Sequence, residues 1–432
     1  MTEFLNQSFT IIQSPIPSNP YLRGMLRSKY DIVVIGGGAS GFFAAIQAAK
    51  GAQHKVVLLE KTGKLLTKVK VSGGGRCNVT HDCDYAAQLV NHYPRGGRSL
   101  RKPFEIFGTK ETREWFEKRG VKLKVEDDGR IFPTTDDSQT IINCLFAEAK
   151  KNEVSIELKS EVTKITKTEE GFSLKLKSGT PIDCKKVIVT TGGQNKASGY
   201  DWLKQLGLKI ERPIPSLFTF NVPDSDFKDL LGLSVGKGYV QIPGTKWKQE
   251  GPILITHWGF SAPAVIKLSA WAAIDLFDKS YQFPILINWT GMDEETIRTA
   301  LNDYKKQHPK KVVSTNQLLE IPSRLWQRLS QKAEIEEDKR YVDLSKKQFN
   351  KLIEMLVRCP FNVNGKTTFK EEFVTCGGVD LKEVNLKTFE AKKIPGLYLA
   401  GEVLNVDGVT GGFNFQHAWT SGYLSGTSAA QE

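Results

Sequence analysis

Three glycines at positions 36, 38 and 41 spell G-x-G-x-x-G inside Asp31-IVVIGGGASGFFAAIQA-Ala49. The chemistry they offer is the binding of a phosphate-bearing dinucleotide. The first glycine permits a tight turn, the second lets backbone approach a pyrophosphate, and the third lets helix pack on strand. Gly36, Gly38, Ala39, Ser40 and Gly41 therefore form the candidate phosphate cradle, because a helix N-terminus attracts an anion. A second apolar run, Lys55-VVLL-Glu60, ends in a carboxylate about twenty residues beyond the glycines, where a ribose hydroxyl is expected. Glu60 and its neighbour Lys61 join the candidate site.

These residues need elements to hold them. Ile32–Ile35 and Val56–Leu59 read as buried strands around a small-residue helix. A glycine-rich return follows at Val71-SGGGRCNV-Thr80, then helices over Thr109–Arg119 and Ser138–Lys151. Strands are expected at Val154–Leu158, Glu161–Thr168, Phe172–Lys177 and Lys186–Thr190, the last stopping at a Thr191-Gly192 turn. From about 197 to 375 the texture changes to Pro-rich turns, hairpin-like strands around Val235–Ile242 and Ile253–Thr256, and a charged helical stretch over Glu294–Asn350. The C-terminal part returns to the first style, with a strand ending at Gly401-Glu402 and a small-residue helix opening near Gly411-Gly412.

The expected fold is α/β. A discontinuous Rossmann-like domain spans 30–196 and 376–432. A β-rich insert with a helical part near 292–350 spans 197–375, and a polar extension covers 1–29, within which Met25 is an alternative start. No second G-x-G-x-x-G appears, so one dinucleotide is expected. The long glycine-rich return and the C-terminal strand–glycine–helix favour FAD over NAD, since a helix N-terminus suits the negative charge of a reduced flavin.

The segments Ser72-GGGRCNVT, Thr375-CGG-Val379 and Gly396-LYLAGEVLNVDGVTGGFNFQHAWTS-Gly422 resemble a widespread bacterial family of NAD(P)/FAD-dependent oxidoreductases with the glutathione-reductase type of FAD fold. That family includes a 3-dehydro-bile-acid Δ4,6-reductase and proteins named aminoacetone oxidase. Leu231-GLSV and Thr256-HWGFSAPAVIKLS are similar to its middle-domain motifs, and the resemblance covers roughly residues 30–428. It implies FAD, with Lys68, Gly75, Arg76, Cys77 and Asn78 along the cofactor, and the FAD is expected to be noncovalent because no His or Cys sits in a recognisable covalent attachment motif. It also implies Glu402 at the ribityl chain and Gly412, Phe413 and Asn414 at the ring. Val162, Thr191, Gly192, Gly401 and Gly411 complete the candidate set. The chain departs from the family pattern at Asn405, at Ser261-Ala262-Pro263 and at Phe413-Asn414-Phe415, so the family gives no substrate.

No catalytic residue stands out. Cys77 and Cys83 lack the spacing of a relay pair, His257 and His417 are candidate proton donors, and no His/Cys/Asp cluster has metal-ligand spacing. The net charge is +12, from 60 basic and 48 acidic residues, with local clusters at Lys61–Lys70 and Arg95–Lys102. No interleaved aromatic and basic repeat accompanies them, so a small-molecule substrate leads and nucleic acid is secondary. Six scattered cysteines fit reduced thiols, and no run is apolar and long enough for a membrane span. The expectation is a cytoplasmic oxidoreductase with NAD(P)H as transient donor and Phe218–Phe220 and Thr256–Pro263 as walls of the substrate cavity. Alternatives are an amine oxidase using O₂, an RNA-modifying or RNA-binding flavoprotein, and a protein whose FAD is structural.

Overall fold

The computed structural model describes residues 28–367 and 374–431, which fall into two compact units. The first unit takes in the chain to Pro213, Gly377–Val406 and the C-terminal segment from Gly411; the second takes in Ile214–Cys376 and Asp407–Thr410. The division thus falls at Pro213/Ile214, not at 196/197. The alternative start at Met25 and residues 1–27 of the expected extension lie outside the described residues. Ser28 and Lys29, assigned to that extension, instead begin the first strand, where they pair with Ile182 and Asp183.

The first unit is built on a nine-stranded sheet. Five neighbouring strands are parallel: Leu397–Leu399, Pro181–Val189, Ser28–Ile35, Val56–Leu59 and Ser155–Glu157. Their centres are continuous apolar runs because both faces are covered: Val33, Val57, Leu58, Val187, Ile188 and Leu399 are fully buried. Register is fixed by Val33 opposite Val57 on one side and Val187 on the other. Phe172–Leu176 pairs antiparallel with the early half of Pro181–Val189, and Val162–Lys167 pairs with it in turn. A separate three-stranded sheet joins Thr80–His81, Arg130–Pro133 and Leu123–Val125.

Two helices lie against each other in this unit, Ala39–Ala48 and Phe413–Ala429. Their approach depends on Gly422 and Gly426. A Cβ on Gly422 would sit 2.6 Å from the Ser40 carbonyl oxygen, and one on Gly426 would sit 2.3 Å from that of Ala44. Larger residues would push the helices apart. Beside this contact Phe43, Trp115, Phe116 and Trp419 pack as an aromatic cluster. Trp419 donates its indole N–H to the Val79 carbonyl at 2.9 Å, so the ring is buried without an unmet donor.

The second unit carries a five-stranded antiparallel sheet and a four-stranded one. The hairpin-like strands expected around Val235–Ile242 and Ile253–Thr256 are present: Tyr239–Gln241 pairs antiparallel with Lys248–Glu250, and Ile253–Ile255 with Gly259–Ser261. Ser234–Val235 pairs with Ile253–Ile255 in one sheet, whereas Tyr239–Gln241 pairs with Gln282–Asn288 in the other, with Gly236 to Gly238 between them. The charged stretch becomes three helices, Glu294–Gln307, Ser323–Lys332 and Lys346–Val357. Asp293 and Ser345 cap the first and third with hydrogen bonds to the Thr296 and Gln348 amides. Phe218 and Phe220 lie at 1% and 0% exposure in this unit's apolar core, so they are packing residues and not cavity walls. No helix of the described residues is long and apolar enough to cross a membrane.

Candidate functional site

The candidate residues of the first unit gather at the carboxyl ends of its parallel strands, where α/β sheets bind ligands. Ile35, Leu59, Val189 and Leu399 each end a strand, and Gly36, Glu60, Thr190 and Gly401 follow within two residues. Gly36 turns with φ +116°, and Thr190 Oγ1 donates to both the Ile35 and Gly36 carbonyls at 2.9 and 3.0 Å. Thr190 was not singled out in the sequence; a small hydroxyl residue closing an apolar strand is its only signal. Glu60 accepts from the Gly37 amide at 2.9 Å and the Thr62 amide at 2.8 Å, one through each oxygen. Each oxygen keeps a further lone pair for a hydroxyl donor. Lys61 is exposed. Ser160 donates its amide to the Glu60 carbonyl, which brings Val162, two residues on, to the same strand end.

The glycines separate into two kinds. A Cβ on Gly41 would lie 1.9 Å from the Gly36 carbonyl oxygen, and one on Gly401 would lie 2.4 Å from Ser40 Oγ, so these glycines serve internal packing. Cβ atoms on Gly38, Gly74, Gly75 and Gly192 would meet no protein atom within 4 Å. The space beside the second glycine of the motif is open, which fits a bound pyrophosphate.

Lys68 Nζ reaches Glu402 Oε2 at 2.6 Å, joining the glycine-rich return to the C-terminal strand turn. Asn78 is buried. Its amide, oriented to satisfy both neighbours, donates to the Thr80 carbonyl at 2.9 Å and accepts from the Gly412 amide at 3.0 Å. That bond sets the head of helix Phe413–Ala429, whose N-cap position is Gly412 and brings no side chain of its own. His81 Nδ1–H donates to the Gly411 carbonyl at 3.0 Å and Tyr93 Oη to that of Phe413 at 2.7 Å. The Phe413 ring is buried, with His92 stacked 4.2 Å away and His81 at 4.6 Å. His81, His92 and Tyr93 carry no sequence pattern, which is why only the fold reveals them around this turn.

Other candidates are occupied elsewhere. The Arg76 guanidinium pairs with Glu126 at 2.6 Å and lies over the Phe132 ring at 4.0 Å. The Cys77 side chain is fully buried in the apolar core, and burial pushes its thiol up to about 12, so it is an inert packing group. All six cysteines are free. His257 is exposed at a tight turn of the second unit, where Thr256 and Gly259 exchange backbone hydrogen bonds. Among the described residues no group of His, Cys, Asp and Glu could hold a metal.

His417 is buried and donates Nε2–H to the Gly401 carbonyl at 3.3 Å, while its Nδ1 has no partner. Burial lowers its pKa to about 4. The folded value lies below the unfolded value of about 6.5, so the unfolded chain takes up the proton first as pH falls. The contribution to stability is therefore complete above about pH 6.5 and is lost as pH falls towards 4, to the extent of about 3 kcal/mol. His417→Gln should flatten this acid limb in urea titrations run from pH 7 to pH 4. An unchanged limb would assign the acid sensitivity to other groups.

The chain matches the model of the HI0933-like protein Rossmann domain over residues 30–428. It is 31% identical over 409 residues to the ribosomal RNA dihydrouridine synthase of Escherichia coli (strain K12), covering 91% of this chain and 96% of that protein. It is 28% identical over 410 residues to the 3-dehydro-bile acid delta(4,6)-reductase of Clostridium scindens, covering 93% and 99%. The solved structure of 3-ketosteroid-delta4-(5alpha)-dehydrogenase from Rhodococcus jostii RHA1 aligns with a TM-score of 0.51 at 14% identity, over 94% of this chain and 97% of that one, a likeness of fold. The strand-end glycines, the acid after the second strand and the match across nearly the whole chain agree: the chain belongs to the HI0933-like family of Rossmann-fold, FAD-dependent oxidoreductases.

Proposed function

We propose that this protein saturates a carbon–carbon double bond conjugated to a carbonyl, that its substrate is uridine in ribosomal RNA, and that NAD(P)H is the electron donor. The observation that carries the reading is the open glycine cradle at the strand ends, together with Glu60 held by two backbone amides and a second helix head, at Phe413, set by Asn78. The named relatives support the reaction type. Dihydrouridine is uridine with its ring double bond saturated, and a delta(4,6)-reductase saturates ring double bonds near a ketone. The net charge of +12 supports a polyanionic substrate.

FAD, when bound, would supply the hydride. The amides at the head of Ala39–Ala48 would hold its pyrophosphate, and the space beside Gly38 leaves room for it. Glu60, already oriented by two backbone amides, would accept from a ribose hydroxyl. Lys68 and Glu402 would flank the ribityl chain, held to each other by their ion pair. The N-terminal end of Phe413–Ala429 would favour negative charge at the ring by about 0.3–2 kcal/mol. Asn78 fixes that end by accepting from the Gly412 amide.

The test is anaerobic turnover of the purified yellow protein with an unmodified ribosomal RNA transcript and each reduced nicotinamide. Nuclease digestion and mass spectrometry then score uridine gaining two hydrogens. A second reading, reduction of a small cyclic enone, is favoured by the Clostridium scindens relative. Saturation of a steroid dienone with RNA untouched would establish that reading instead. Peroxide formation from an amine, with neither acceptor reduced, would replace both with an oxidase.

A further inference from the structure

The basic cluster Arg95–Lys102 finds a place in the fold. Helix Gly97–Ile106 of the first unit turns Ser99 and Lys102 into a cavity of about 420 Å³. The opposite wall is the segment around the edge hairpin Val384–Asn385 and Glu390–Ala391, which contributes Lys382, Asn385, Lys387 and Lys392. Four lysines from two distant parts of the sequence thus line one concavity, and none of the residues lining it is acidic. All four lysines are exposed.

The acids nearby are engaged away from it. Glu383 pairs with Lys393 at 3.6 Å, Asp380 with Lys209 at 3.0 Å, and Glu105 with Arg101 at 3.3 Å. Glu390 accepts from the Gly396 amide at 2.7 Å. The hairpin itself is stiffened by two local bonds. Lys392 Nζ donates to the Lys382 carbonyl at 2.8 Å, and Asn385 accepts from the Lys387 amide at 3.1 Å. Like charges grouped without counter-charges oppose one another in the free protein, and an anion relieves that cost. The wall sets Ser99, Asn385 and the lysines beside Leu381, Val384 and Leu386, and the cations are lysines, which suits phosphate held as a point charge and not a planar carboxylate clamp.

We propose that this cavity binds the phosphodiester backbone of the RNA substrate, outside the FAD cradle; the inference rests on the RNA reading above. The same stretch of chain serves both places. Tyr93, just before helix Gly97–Ile106, bonds the Phe413 carbonyl at the helix head, so a strand anchored on Lys102 is tied to the segment that holds the redox end.

The experiment compares the wild-type holoprotein with the fourfold variant K102Q/K382Q/K387Q/K392Q and with a control of equal charge change, K118Q/K122Q/K150Q/K151Q. Affinity for a ribosomal RNA transcript is measured by filter binding from 50 to 200 mM salt. Alongside it run FAD content, flavin reduction by NAD(P)H without RNA, and binding to vesicles rich in anionic phospholipid. The expected result is at least about tenfold weaker RNA binding for the cavity variant, with a log–log salt slope shallower by about 3 to 4. FAD content and flavin reduction should be unchanged, and the control should lose far less. Equal loss in the control would overturn the proposal, and so would intact RNA affinity. Lysine-dependent vesicle binding with RNA affinity intact would make this a membrane surface. Self-association of the variant with RNA affinity intact would make the lysines guards of the sheet edge. A wild-type protein that binds RNA through these lysines yet forms no dihydrouridine would refute the RNA-reductase reading while leaving the surface in place.

Discussion

Gly38→Val should purify as a folded, colourless protein. Gly38 sits at φ −91° and ψ −170°, extended backbone that valine adopts without strain, and a Cβ there meets no protein atom within 4 Å. The free protein therefore has no reason to unfold. The space a branched side chain would fill is the space beside the helix head, where a pyrophosphate must approach backbone. Loss of those contacts should weaken FAD binding by about two orders of magnitude or more, about 3 kcal/mol. Gly41→Val is the contrasting case, because its Cβ would lie 1.9 Å from the Gly36 carbonyl oxygen. That variant should lose solubility or melt far lower. Visible absorbance against protein absorbance, together with a thermal melt, separates the two. A yellow Gly38→Val with full FAD occupancy would place the phosphates elsewhere.

The contrast between these glycines also shows what the sequence could convey. Periodicity and spacing placed Gly36, Gly38, Gly41 and Glu60 at consecutive strand ends, because a parallel strand buried on both faces must be an unbroken apolar run. The C-terminal return was legible for the same reason: Leu397–Leu399 ends at Gly401 and a helix opens after Gly412. Arg76 and Cys77 were harder. Their motif says that they sit beside the glycines, but not that Glu126, some fifty residues on, takes the guanidinium, or that the thiol points into the core. Tertiary partners of that kind leave no local pattern. Helix Gly97–Ile106 carried no clear signal because Pro103 lies inside it and its buried stripe of Gly97, Leu100, Pro103 and Phe104 holds only two large apolar side chains besides the proline. With it went the meeting of Lys102 with Lys382, Lys387 and Lys392. The hairpin strands around Val235–Ile242 were legible, but not that Ser234–Val235 and Tyr239–Gln241 join different sheets, because only their partners, distant in sequence, separate them.

Truncation after residue 375 should yield insoluble, FAD-free protein. The segment beyond it is not an appendage. Leu397–Leu399 pairs with Val187–Val189 along the central sheet, so its removal bares a parallel strand bred to be covered on both faces. Helix Phe413–Ala429 goes with it, and with that helix go Trp419 from the aromatic cluster and the glycine contact that covers Ala39–Ala48. Leu397, Leu399, Val403 and Trp419 are fully buried, and burial of each such side chain contributes about 1.5–3 kcal/mol. Their sum alone approaches the roughly 5–15 kcal/mol that holds a domain folded. The cofactor side fails independently, since Glu402, Gly412 and the helix head all lie in the lost segment. Supplying residues 376–432 as a separate chain during refolding should restore solubility and colour together if both rest on one sheet. A soluble, yellow 1–375 fragment would mean that the first unit closes its sheet, and holds FAD, without the strand and helix that the structure places at its centre.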